Sequence, residues 1–191
     1  MNQSAQKMLD ALVGRSLWDS TRAADMEMFQ FGARVPRLSF RGEPQIVGEF
    51  ALHLSGSWRV VSGGRVMVGH RDLWSARTGV PEDEFNWTEV FKKSSRRDEM
   101  LEAFLLHGEP AHVVEAAEMS PVGDLHLAFA DGCGFDAFAD WGFVEMEGDE
   151  APDECWRLFS PSTDTWHLVV WAGGVVDERL ASEPLPPQAL A

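Results

Sequence analysis

Glu49 and His53 lie four residues apart in a segment that alternates like a β-strand, so their side chains fall on one side. His126 and His167 occupy outward positions in two further strand-like segments, where sheet neighbours would bring them toward the first pair. Two or three imidazoles with a carboxylate suit zinc or a non-haem metal, and any of these histidines could serve as a general base. His70 and Asp72 make a second pair of the same kind. Six histidines in 191 residues are no enrichment, and a half-exposed strand histidine needs no function. Glu49, His53, His126 and His167 are therefore weak candidates for catalysis or metal binding, with His70 and Asp72 added for metal alone. No cofactor is predicted, and a divalent metal is what such a set would take.

Two cysteines, Cys133 and Cys155, complete the chemically active side chains. Both read most simply as buried, inert thiols. Gly132-Cys133-Gly134 gives the first a flexible setting, yet the sequence sets no base beside it. The chain has no phosphate-binding glycine loop, no Gly-x-Ser-x-Gly, no His-Glu-x-x-His and no Cys-x-x-Cys. These absences remove the easily recognised enzyme classes and favour a non-enzymatic reading. Aromatic residues are more notable, with eight Trp, twelve Phe and no Tyr. Trp166 and Trp171 flank the last strand on opposite faces, so one of them serves an aromatic pocket, an interface or a second small core.

The elements that must position these residues are mostly short strands. Ser4 can cap a helix whose Met8, Leu9, Leu12 and Val13 share a face, with Gly14 at its C-terminal end. Residues 16–24 read as a connection, 25–31 as a strand, and the Pro- and Arg-containing stretch 34–44 as a loop. Ile46–Ser55 alternates cleanly, and a hairpin follows in which Ser62-Gly63-Gly64-Arg65 turns between 58–61 and 66–69. Residues 75–93 form a long polar loop that Trp87 and Phe91 should hold down. A second helix over 96–106 has Ser95 as its cap, Met100, Leu101, Phe104 and Leu105 as its buried stripe, and Gly108 beyond its end.

A meander of strands near 112–119, 124–130, 135–140, 154–159 and 166–171 completes the chain. Residues 1–180 read as one domain and 181–191, with three prolines, as a loose tail. The fold class is α+β, mainly antiparallel β, with a strongly bent sheet or partly closed barrel and two short helices.

Composition narrows the partners. Sixteen basic residues stand against thirty-one acidic ones, for a net charge of −15. The imbalance is local, because residues 101–191 carry only Arg157 and Arg179 against 18 acidic residues. Such a field repels nucleic-acid phosphates and anionic membranes, and attracts a basic protein, a cationic ligand or a divalent ion. No stretch approaches the roughly 18 apolar residues of a membrane span. Met1 to Asp10 lacks the pattern of a signal peptide, and two cysteines fit a reducing cytoplasm.

Leu17-Trp18, Arg22-Ala23-Ala24-Asp25-Met26, Phe29-Gln30-Phe31-Gly32, Leu52-His53 with Trp58-Arg59, and Glu154-Cys155-Trp156-Arg157 together resemble a group of uncharacterised small bacterial proteins. The resemblance spans roughly residues 12–172 and implies a small bacterial cytosolic protein, with no activity or site attached. The expected function is that of a non-enzymatic acidic binding protein, of which the immunity or antitoxin kind is one form, engaging a basic protein partner. A small metal-dependent enzyme and an apolar-ligand-binding β-barrel are the alternatives, and a homo-oligomer is compatible with each.

Overall fold

A computed structural model describes residues 3–39, 41–106, 112–142, 153–163 and 167–179. Two antiparallel sheets face one another. The first has six strands, β1 (Leu17–Ala23), β2 (Met26–Leu38), β3 (Pro44–Leu54), β9 (Glu154–Phe159), β10 (His167–Trp171) and β11 (Val175–Arg179), in that spatial order. The second has five, in the order β5 (Arg65–Gly69), β4 (Trp58–Ser62), β8 (Gly134–Ala137), β7 (Leu125–Phe129) and β6 (Val114–Met119). The helices are α1 (Gln3–Asp10) and α2 (Arg96–Leu106).

The mainly antiparallel α+β class is thus shown, but the bent sheet or partly closed barrel gives way to two open sheets. Among the described residues one isolated antiparallel bridge, between Ser16 and Val113, lies at their edge, and no strand of one sheet pairs with a strand of the other. The closure is replaced by layering. Along the central strands alternate residues face the opposite sheet. Phe29 and Phe31 of β2, Leu52 and Leu54 of β3, and Trp156 and Leu158 of β9 are buried on one side. Trp58 and Val60 of β4, Leu125 and Leu127 of β7, and Phe135 of β8 are buried on the other. The Phe29 ring joins the layers, meeting Trp58 edge-on at 5.2 Å and Phe135 at 5.0 Å. Trp156 donates its indole N–H to the Gly123 carbonyl at 2.7 Å, so its polar tip is satisfied inside the core.

Several local expectations shift. Residues 16–24 are not a connection but contain β1, the outermost strand of its sheet. Residues 34–44 are not one long loop, because β2 runs on to Leu38 and β3 starts at Pro44. A polar alternation and two prolines hid this ribbon, which neither β1 nor β9 accompanies to its tip. Its register breaks between Phe31 and Arg34, where the Gln30 side chain accepts the Gly48 N–H at 2.7 Å. β11 was not anticipated at all. α1 ends at Asp10, so Val13 sits in the following turn and is exposed, while Gly14 takes the expected positive φ. Ser4 lies within the helix rather than at its cap.

α2 matches its expectation closely. Asp98 and Ser95 form a reciprocal cap, with Asp98 N–H donating to Ser95 Oγ at 3.2 Å and Ser95 Oγ donating to Asp98 Oδ2 at 2.7 Å. The same turn delivers Arg97 to a buried cluster, where its Nε donates to Glu27 at 2.8 Å and its Nη1 to Asp98 at 2.8 Å. Ser20 completes the cluster, so α2 is tied to both β1 and β2. The loop before α2 is held down by the Trp87 carbonyl, which accepts from the buried Arg22 at 2.7 Å. Phe91 plays no part in this, since its side chain is fully exposed. Gly108, Trp166 and the tail 181–191 lie outside the described residues.

Candidate functional site

The histidines expected to converge are distributed over both sheets. β3 places His53 on the outer face of the six-stranded sheet, directly opposite Arg157 of β9. Phe159 stands between His53 and His167, meeting the first edge-on at 4.8 Å and stacking on the second at 4.8 Å. Nδ1 of His167 lies 3.1 Å from Arg157 Nη1, so this nitrogen accepts from the guanidinium. Burial, with help from Arg157 and His167, pushes His53 down from 6.5 to about 4. The face is therefore an aromatic and cationic patch in which the carboxylate of Glu154 is bound to Arg157.

The other candidates are engaged elsewhere. Glu49 pairs with Arg15 at 2.9 Å and is thereby turned to the start of β1. His126 belongs to the other sheet, in a cross-strand row of Glu118, His126, Asp136 and Arg59. Asp136 accepts from His126 at 2.7 Å and from Arg59 at 2.7 Å. Burial works to raise Asp136, but these two partners hold it below its ordinary value. His70 sits against Trp74 at 4.9 Å, and burial lowers it against the pull of Asp25 and Asp140. Asp72 accepts the Gly69 N–H at 2.9 Å and pairs with Arg96 at 3.3 Å, so it caps a turn and anchors α2. His53 and His167 are brought together; Glu49, His126, His70 and Asp72 are not brought to them.

A different trio meets where the sequence offered no spacing signal. His112, in the segment leading into β6, faces the β7–β8 turn that carries Asp131 and Cys133. His112 is buried, with Nδ1 at 2.5 Å from Asp131 Oδ2 and Nε2 at 2.9 Å from the Phe104 carbonyl. The Phe104 ring stacks on the imidazole at 3.6 Å and 8°. Cys133 N–H donates to Asp131 Oδ1 at 3.0 Å. Burial works to raise Asp131, but this N–H and the His112 ring outweigh it and hold the carboxyl low. Burial raises the Cys133 thiol. The nineteen-residue gap between His112 and Asp131 concealed the trio, and only the return of β7 beside β6 closes it.

A second feature follows the same edge of the molecule. β6 is the outer strand of its sheet, and α1 packs beside it with Gln6 Nε2 donating to the Ala117 carbonyl at 3.3 Å. Between them runs a groove of about 530 Å³ lined by Gln6, Asp10, Val13 and residues 115–119. Glu115 and Glu118 project outward from β6 and have no ion-pair partner among the described residues. Asp10 accepts from the Gln6 amide at 2.7 Å. Lys7 is the one basic residue of α1. Compared with protein-family models, with curated proteins and with solved structures, the chain matches none.

Proposed function

We propose that this chain is a non-enzymatic binding protein, of the immunity or antitoxin kind, that engages a basic protein through the groove between α1 and β6. The observation that carries this reading is the pair Glu115 and Glu118, which have no ion-pair partner among the described residues and stand on an edge strand beside Asp10. Some acidic side chains elsewhere are held by cationic partners, as Glu49 is by Arg15 and Asp136 by Arg59. Glu115 and Glu118 have no such partner among the described residues. A concave, negatively charged strip beside an edge strand favours a cationic segment, which would supply the missing counter-charges and speed encounter. Arg77 and Lys93 are committed to Glu102 of α2 and do not reach the groove.

The test is a comparison of wild type with Glu115→Lys/Glu118→Lys as baits in host extract. At low salt the wild type should retain a protein of basic isoelectric point, released by raising the salt, and the double variant should lose it while melting at an unchanged temperature. Equal retention by both baits, or no basic protein on either, rejects the reading.

A further inference from the structure

We infer that His112, Asp131 and Cys133 form a binding site for one divalent transition-metal ion of the zinc class, separate from the acidic groove. The trio offers one imidazole nitrogen, one carboxylate oxygen and one sulfur, all within 4.8 Å of one another. Small rotations of these side chains bring the three donors to metal–ligand distances of about 2.0–2.3 Å.

The fold holds each donor separately. The Phe104 carbonyl accepts the Nε2 proton of His112, so Nδ1, which donates to Asp131 Oδ2, is the nitrogen that would give up its proton to an ion. An acceptor on the far ring nitrogen is the arrangement that orients metal-bound histidines. Stacking on Phe104 fixes the plane of the ring. The Cys133 N–H engages Asp131 Oδ1 and so leaves Oδ2 for the ion. At 2.5 Å, Nδ1 and Oδ2 share a proton, and an ion that displaces it would move the two donors apart to roughly 3 Å or more. The sulfur of Cys133, within 4.8 Å of both, supplies the third donor that a metal uses.

Ligand chemistry narrows the ion. Calcium and magnesium take oxygen ligands, whereas imidazole with thiolate selects zinc and its neighbours. Asp131 is exposed and Cys133 partly so, whereas His112 is buried. The ion would thus be reached from the turn, with a fourth tetrahedral position left for water.

Full-length protein, prepared without a polyhistidine tag and stripped with a chelator, is titrated with Co²⁺ and followed by absorption. The expected result is uptake of one equivalent with a thiolate-to-cobalt charge-transfer band in the near ultraviolet. Excess Zn²⁺ should bleach the band. Cys133→Ser should abolish it, and Cys155→Ala should retain it. Asp131→Asn should weaken uptake about tenfold or more, with circular dichroism showing that each variant is folded. No stoichiometric uptake, or a band indifferent to Cys133→Ser, overturns the site and leaves a proton-bridged His112–Asp131 pair.

Discussion

At the scale of single residues, His53 shows how a sheet face sets chemistry that its own sequence neighbours do not. Its strand neighbour across the ladder is Arg157, and Phe159 and His167 close around it. A buried imidazole beside a guanidinium resists protonation, which is why burial, Arg157 and His167 take it from 6.5 to about 4. The consequence for stability has a definite sign. The unfolded chain binds a proton at His53 near pH 6.5 and the folded chain only near pH 4, so the contribution is complete above 6.5. It declines as pH falls from 6.5 toward 4 and amounts to about 3 kcal/mol at most. Denaturant midpoints measured across that window should fall with pH in the wild type, and His53→Leu should flatten the slope there. An unchanged slope in the variant would assign the acid sensitivity to other groups.

At the scale of elements, the β2–β3 ribbon depends on Gly48. Its N–H is taken by the Gln30 side chain, because the ladder is out of step where the register breaks between Phe31 and Arg34. A Cβ at Gly48 would lie 2.7 Å from the Phe31 carbonyl oxygen and 2.8 Å from its nitrogen. Neither is the end of a flexible side chain, so the two strands would have to separate. Gly48→Ala is therefore expected to destabilise the protein by about 1–3 kcal/mol, measured by chemical denaturation. The hairpin between β4 and β5 has a different requirement. Gly63 and Gly64 both adopt positive φ, at 55° and 73°, with open space around them, so the turn needs glycine for backbone freedom rather than for room.

At the scale of the whole molecule, the facing sheets share one apolar cluster, to which α1 adds Leu9, the turn after it Leu12, and α2 Leu101. Trp58 and Trp156 reach it from opposite layers, each followed by an arginine that points away from the core. The buried Arg97 cluster then clasps α2 to β1 and β2. Neither sheet can keep its inner face dry without the other, so unfolding should be a single transition. Tryptophan fluorescence and far-ultraviolet circular dichroism are expected to give coincident denaturation curves. Two separable transitions would show that the layers are independent units.

Local chemistry alone was sufficient for the parts that are decided within a few residues. The Gly63-Gly64 turn, the Ser95 cap of α2, and the alternation of β3 and β7 follow from backbone sterics, side-chain hydrogen bonding and period-two burial, all short-range. The lopsided charge was likewise readable from composition, and with it the chemistry of a partner. Strands whose inner or outer faces are polar, such as β1 and the outer half of β2, carry no such signature and read as connections. Which residues meet was settled only by tertiary structure. The order of strands in two sheets separates His126 from His53 and His167, and it sets His112 against Asp131 and Cys133 across a gap that no motif spans. Convergence of that kind is fixed by long-range pairing and layer packing, which depend on the summed burial of many side chains rather than on the spacing of the few that do chemistry.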